Sequence, residues 1–137
     1  MTAGRIKFRS GYRYVLADDH EVLTAIRPQM AIATEYVRLT LDGWLWIGRG
    51  YAWDGASGPA VDTGSIMRGS LVHDALYAMM REGHLPQSAR EAADRELRRI
   101  CLEDGMSSIR AWWVYRGVRL GGGPSAALGG DDVREAP

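Results

Sequence analysis

One histidine and two carboxylates are the residues of this chain best suited to do chemistry. His73-Asp74, followed by Tyr77, lies in a mostly apolar segment, and Asp94 follows in the next amphipathic segment. A histidine paired with a carboxylate can act as a base that activates water, and a further carboxylate can bind a metal ion. We therefore predict that His73, Asp94 and Tyr77 are catalytic residues.

The spacing of the apolar residues indicates how two helices would bring this set together. His73 and Tyr77 are four residues apart and share one helix face, while Asp94 shares an apolar face with Leu97 and Cys101. An unpaired carboxylate on such a face would cost several kcal/mol of desolvation, so Asp94 needs a partner. Helices joined by a short turn pack antiparallel, which predicts a hydrogen bond between Asp94 and His73. That bond would fix the ring tautomer and leave the other nitrogen as a base.

The segment just upstream could supply oxygen ligands and polar contacts to the same place. It reads Trp53-Asp54-Gly55-Ala56-Ser57-Gly58-Pro59. Asp74 projects about 100° away from His73 around the helix and can meet this loop. An oxygen-rich corner of this kind suits calcium. We predict Asp74 and Asp54 as metal ligands, and Ser57 and Trp53 as contacts to the substrate.

A structural interpretation of the same residues stays open. A buried His–Asp pair can simply satisfy two polar groups of the core, Tyr77 is typical of a core residue, and Asp54-Gly55 can be only a turn. Ser57 lacks the elbow motif of serine hydrolases, so it is not predicted as a nucleophile. The three histidines show no zinc-ligand spacing, and one cysteine is too few for such a site.

Composition limits the class of protein. The 137 residues, 46% of them hydrophobic, fit one domain with its own core. With 17 basic and 17 acidic residues the formal net charge is +0, which argues against general nucleic-acid binding. The arginines that accumulate after Arg90 are typical of a solvated, salt-bridged helix face. The single Cys101 excludes an internal disulfide. No signal peptide or membrane-spanning run is evident, so we expect synthesis in a reducing cytoplasm.

The first half of the chain is predicted to form strands. Residues 12–16 and 20–26 are strand-like, and Val37, Leu39 and Leu41 follow the period-2 pattern of a half-buried strand. Asp42-Gly43 is a hairpin-turn signal, because glycine accepts a positive φ without a steric cost. The strongly apolar residues 44–47 then form the returning strand.

The second half is predicted to form three helices, over about residues 65–82, 88–104 and 109–120. Ser88 with Glu91 three residues later is the pattern of a capping box, and Gly105 ends the second helix. The predicted fold class is α+β, in which a small N-terminal antiparallel β-sheet packs against three C-terminal α-helices. Residues 1–121 would form the single domain, and the glycine-rich, acidic residues 122–137 a flexible tail.

These segments, taken in order, resemble a known family. The chain is similar over roughly residues 35–121 to a phage and prophage family catalogued as domain of unknown function 1353. The resemblance implies a bacteriophage, prophage or gene-transfer particle as its origin, with synthesis in the bacterial host cytoplasm and the virion as a further location. The motifs that carry it are Trp53-Asp54-Gly55-Ala56-Ser57-Gly58-Pro59, Leu71-Val72-His73-Asp74-Ala75-Leu76-Tyr77, Arg90, Ala93-Asp94 and the stretch from Trp112 to Leu120.

A second resemblance is local. His73-Asp74, Tyr77 and a later helix with Arg90 and Asp94 are similar to the two catalytic helices of secreted phospholipases A2, particularly the bacterial ones. The resemblance implies that His73 activates water, that Asp94 orients its imidazole, and that Asp74 binds calcium together with carbonyls of the upstream loop. Calcium would polarise the ester carbonyl. No cysteine flanks His73, and the upstream loop lacks the glycine-rich spacing of that family's calcium loop.

Two functions of different classes follow. The first is a phage-related hydrolase with a His73/Asp94 pair, with or without calcium, that acts on an ester or on a bond of the cell envelope. The second is a non-catalytic virion or tail-assembly component, in which the same pair is structural and the partners are other phage structural proteins.

Overall fold

The computed structural model of the chain describes residues 8–9, 14–54 and 64–129. Strands precede helices in this part of the chain, so the predicted α+β class is confirmed. The strands are β1 (Phe8–Arg9), β2 (Tyr14–Leu16), β3 (His20–Leu23), β4 (Ile32–Ala33), β5 (Val37–Leu39), β6 (Trp44–Ile47) and β7 (Ala52–Trp53). The helices are α1 (Gly64–Arg81), α2 (Arg90–Glu103), α3 (Ser108–Gly121) and α4 (Gly123–Ala126).

These strands form two small antiparallel sheets instead of the one predicted. β1, β2 and β7 make a three-stranded sheet, and the larger sheet has the order β3-β6-β5-β4. The chain leaves one sheet for the other between β2 and β3 and returns between β6 and β7. The two connections are tied together, since the Arg49 backbone N–H donates to the Asp19 carboxylate at 2.8 Å.

The predicted hairpin lies in the larger sheet. β5 pairs with β6 in antiparallel register, with Leu39 opposite Leu45. At the turn, Gly43 has a φ of 98°, and a Cβ there would clash with the Thr24 carbonyl. Both facts require glycine, which explains why the Asp42-Gly43 signal is reliable.

The larger sheet and α1 share one hydrophobic core. Leu45 and Ile47 of β6 are fully buried in the same cluster as Leu71, Leu76 and Met80 of α1. Such burial removes the apolar area that drives folding. The sheet therefore supplies the support on which α1, with its candidate functional residues, is held.

The start of α2 differs from the prediction. A 3₁₀ turn over Gln87–Ala89 precedes the helix, and its N-cap residue Ala89 offers no side-chain hydrogen bond. The capping box predicted at Ser88 and Glu91 is therefore wrong, because Ser88 lies inside the 3₁₀ turn. A side-chain cap is present at α3 instead, where Ser107 accepts from the Arg110 N–H at 3.2 Å.

α1 and α2 pack antiparallel and in close contact. The first part of α1 meets the end of α2, where the buried Arg68 guanidinium bonds to Glu103 at 2.7 Å and to Asp104 at 3.2 Å. One residue later, a Cβ on Gly69 would lie 3.0 Å from Leu97 Cδ1 and 3.1 Å from Cys101 Sγ. This close approach fixes the distance between the helices, and so the positions of His73 and Tyr77 about one and two turns further along α1.

Packing continues beyond residue 121, where the sequence predicts a flexible tail. α4 contacts α1, and Ala126 is fully buried. Arg81 Nη1 donates to the Ser125 carbonyl at 3.0 Å, and Gln87 Nε2 to the Ala126 carbonyl at 2.8 Å. The small side chains of this segment let its backbone approach α1. Residues 130–137 lie outside the described residues.

Buried His20 gives the fold a pH-dependent stability. Its Nε2 has no hydrogen-bond partner among the described residues, and burial together with the Arg68 charge lowers the pKa of His20 from 6.5 to about 4. Between those values the unfolded chain binds a proton that the folded protein excludes. We expect the free energy of unfolding to fall by about 3 kcal/mol as pH decreases through this window.

Denaturant titrations at several pH values test this expectation. His20→Leu should remove most of the pH dependence between pH 6.5 and about 4, whereas the same substitution at exposed His84 should leave it in place. If the free energy of unfolding of His20→Leu changes with pH as it does in the wild type, His20 is not the group responsible.

Candidate functional site

Asp94 is the centre of a hydrogen-bonded network that joins three helices. Its side chain has no exposed area. Oδ1 accepts from His73 Nε2 at 2.7 Å and from the Tyr77 hydroxyl at 2.6 Å, while Oδ2 accepts from Arg119 Nη1 at 2.8 Å. The predicted hydrogen bond between His73 and Asp94 is therefore present. Tyr77, predicted on the same helix face as His73, is part of the same network.

Arg90 connects this network to the end of α3. Its Nη1 donates to the Val118 carbonyl at 3.1 Å, and its Nη2 to the Arg119 carbonyl at 3.3 Å. The same guanidinium lies 3.8 Å from Asp94 Oδ2 and 3.4 Å from the Tyr77 hydroxyl. Because carbonyls at a helix C-terminus lack partners within the helix, a cation there stabilises the helix end.

Opposing effects act on the ionisation of Asp94. Burial raises its pKa, but the hydrogen bonds from His73, Tyr77 and Arg119 favour the carboxylate, and the net result is a lowered pKa. The pKa of Tyr77 is raised, first by burial and then by its bond to Asp94. Asp94 is thus an ionised acceptor and Tyr77 a neutral donor at neutral pH.

This ionisation decides the tautomer of His73. An ionised carboxylate can only accept, so the proton lies on His73 Nε2 and a neutral ring carries its lone pair on Nδ1. No described residue hydrogen-bonds to Nδ1, and the side chain keeps 13% exposure while Asp94 keeps none. The ring also contacts the Tyr77 ring, with centroids 4.1 Å apart. The imidazole is thus held at Nε2 by a buried carboxylate, and Nδ1 is unbonded among the described residues.

The two residues predicted to bind calcium, Asp74 and Asp54, differ in their surroundings. Asp74 accepts a hydrogen bond from the Tyr51 hydroxyl, and the pKa of Tyr51 is raised by burial and by the Asp74 charge. Asp54 is exposed at the end of β7. No group of three or more His, Cys, Asp or Glu side chains suited to a metal occurs among the described residues. Calcium binding at Asp74 and Asp54 stays a prediction, because residues 55–63 are not described.

Of the two residues predicted to contact the substrate, Trp53 and Ser57, the structure describes only Trp53. Trp53 is 2% exposed, donates from Nε1 to Ser70 Oγ at 3.0 Å, and contacts the Tyr14 ring. A side chain so enclosed packs in the core, and the contact of Trp53 with a substrate stays a prediction. Ser57 lies outside the described residues.

Arg119 is a member of the network that the sequence interpretation missed. It belongs to the arginine-rich stretch that is typical of a solvated face, yet it bonds to the most buried carboxylate of the site. The available signal was Asp94 itself. A fully buried carboxylate has more acceptor capacity than one imidazole can fill, which points to a further donor.

The comparisons with known proteins place the chain in a family. A family model described as "Protein of unknown function (DUF1353)" matches residues 30–118. The chain belongs to this family. The match includes β4 to β7, α1, α2 and most of α3. Of the Asp94 network, only Arg119 lies outside the matched residues. No curated protein and no solved structure matches the chain.

The helices give one further result on membranes. Among the residues described, no helix combines the length and the apolar character needed to cross a bilayer.

Proposed function

We propose that this protein is a phage-related hydrolase in which His73 is the general base and Asp94 its orienting carboxylate. The observation that carries the proposal is the contact of His73 Nε2 with buried, ionised Asp94 at 2.7 Å while Nδ1 has no described partner. This is the geometry that general-base catalysis needs, since one nitrogen is fixed and the other can take a proton from water. The substrate class is an ester or a bond of the cell envelope.

His73 alone can accept and return the proton that ester hydrolysis requires. Nδ1 accepts a proton from water as the oxygen attacks the carbonyl carbon, and the protonated ring then donates to the leaving alkoxide as the C–O bond breaks. The Asp94 carboxylate stabilises the positive ring between these steps. Tyr77 and Arg119 hold Asp94 in place, so they act as positioning residues.

A structural function is the second candidate, and the charge of the network favours it. Two guanidiniums, Arg90 and Arg119, already face the single Asp94 carboxylate at 3.8 and 2.8 Å. With two guanidiniums beside it, the burial of the Asp94 carboxylate is accounted for without any reacting group. In this alternative the network only joins α1, α2 and α3 in a virion or tail-assembly component.

A screen of the purified wild-type protein separates the two functions. Short-chain and long-chain carboxylic esters, phospholipid vesicles and purified cell-envelope fractions are the substrates, each with calcium and with a calcium chelator. Turnover above buffer that depends on protein concentration supports the hydrolase. Stimulation by calcium would add support for Asp74 and Asp54 as ligands. No turnover on any substrate, under either condition, favours the structural function.

A further inference from the structure

α3 has two apolar faces, of which only one is used for packing. Ala111, Val114 and Val118 follow the three-and-four spacing of a helix and belong to the cluster between α2 and α3. Ala111 is the one buried residue of this helix. A second set with the same kind of spacing lies on the opposite side, and we call it the α3 outer face: Ile109, Trp112, Trp113, Arg116 and Leu120.

The apolar members of the α3 outer face are strongly exposed. Ile109 is 71% exposed, Trp113 64% and Leu120 77%, while Trp112 is 41% exposed. Scattered exposed hydrophobic residues are common, but a contiguous set on one helix face marks an interaction site. The opposite face of α3 already packs on α2. The α3 outer face is therefore available to a binding partner that is not among the described residues.

The charged side chains of α3 itself have one sign. α3 contains no acidic residue. The Arg116 guanidinium lies over the Trp112 ring at 5.6 Å and has no acidic partner among the described residues. At the flank, Arg98 of α2 lies 5.9 Å from the Tyr115 ring, also without a described acidic partner. A partner that binds the α3 outer face should therefore have both an apolar surface and negative charge.

We propose that the α3 outer face binds an anionic phospholipid surface. Tryptophan combines an apolar ring with an N–H donor and is suited to the membrane interface, and arginine can keep its charge among headgroups while its stem lies on apolar matter. Ile109 and Leu120, near the two ends of the helix, enter the acyl boundary. The helix lies on the surface and does not span it.

Other occupants fit these residues less well. A second copy in a two-fold contact centred here would bring two Arg116 guanidiniums together. A single-stranded nucleic acid would use the tryptophans and arginines but has no use for exposed Ile109 and Leu120. A protein partner would need a groove matched to a convex helix, whereas a lipid surface adapts to it.

The experiment is co-sedimentation with vesicles of phosphatidylcholine alone and of phosphatidylcholine with phosphatidylglycerol. The wild-type protein should bind the anionic vesicles, bind the neutral ones at least about tenfold more weakly, and lose affinity as salt is raised. Trp113→Ser and Arg116→Glu should each weaken binding to anionic vesicles about tenfold or more. Both positions are on the surface, so circular dichroism should show wild-type folding.

Matched controls use the larger sheet. Trp44 is 45% exposed on β6, and Arg38 lies 4.6 Å from the Trp46 ring, so Trp44→Ser and Arg38→Glu repeat the same chemical changes elsewhere. These variants should bind anionic vesicles like the wild type. His73→Ala should also bind normally, which separates lipid binding from the proposed hydrolysis.

Three results would overturn the proposal. The first is equal binding to neutral and anionic vesicles, or none to either. The second is an equal loss of binding in Arg38→Glu and Arg116→Glu, which would reduce the effect to net charge. The third is a concentration-dependent dimer that Trp113→Ser abolishes, without vesicle binding, which would assign the face to a second copy.

Discussion

His73→Ala should lower the rate of hydrolysis by about 10²–10⁴-fold, the range that a positioned general base contributes. The substitution removes the nitrogen that takes the proton from water, and no other described residue offers a base at that position. Steady-state kinetics on the best substrate of the screen would measure the loss. The effect should be in kcat more than in KM, since the imidazole acts in the transition state.

The fold should survive this substitution. Asp94 keeps its bonds to Tyr77 and Arg119, so we expect the free energy of unfolding to drop by only about 1–2 kcal/mol. His84→Ala is the matched control, because His84 is an exposed histidine in the turn after α1 and should keep full activity. Unchanged turnover in His73→Ala would end the hydrolase proposal.

The sequence predicted those parts of the structure that local patterns determine. Alternation of residues and the Asp42-Gly43 turn predicted the hairpin, because both constraints lie within a few residues of each other. The three-and-four spacing around His73 and Asp94 predicted their contact, since two helices with a short connection have few ways to pack. These predictions needed no knowledge of distant parts of the chain.

What the sequence failed to predict depends on packing between distant segments. Arg119 reaches Asp94 only because α3 crosses near the end of α2, and nothing in the arginine pattern separates this residue from solvated neighbours. Trp53 borders a polar loop in sequence but is enclosed by Ser70 of α1 and by Tyr14. In each case a residue's surroundings come from another element, and composition near the residue says little about them.

The tail illustrates the same limit on a smaller scale. A segment of mostly glycine, alanine and serine, with Leu128 as its one large apolar side chain, is typical of a flexible segment. Here the lack of bulk lets the backbone of residues 122–129 approach α1 and the 3₁₀ turn, where Arg81 and Gln87 donate to its carbonyls. Hydrogen bonds to the main chain hold this segment, and they leave no pattern in its side chains.

Asp94→Ala should lower the free energy of unfolding by about 3–5 kcal/mol, because it removes the one acceptor shared by three buried or half-buried donors. Tyr77 would lose its partner in an enclosed place, and the partly exposed guanidinium of Arg119 would lose its carboxylate. His73 would lose the bond that fixes its ring. Urea titration followed by circular dichroism measures the change. If the variant fails to fold, Arg119→Met is the milder test, with an expected loss of about 1–3 kcal/mol.

A matched control on the same helix separates burial from charge. Glu91, one turn earlier, pairs with Arg95 at 2.7 Å on an exposed surface, so Glu91→Ala should change stability by less than about 0.5 kcal/mol. Both substitutions remove one carboxylate from α2, but only Asp94 lies where water cannot replace it. A loss below about 1 kcal/mol in Asp94→Ala would contradict a buried network. A large loss in stability with unchanged turnover would make the network structural, whatever bond the protein cleaves.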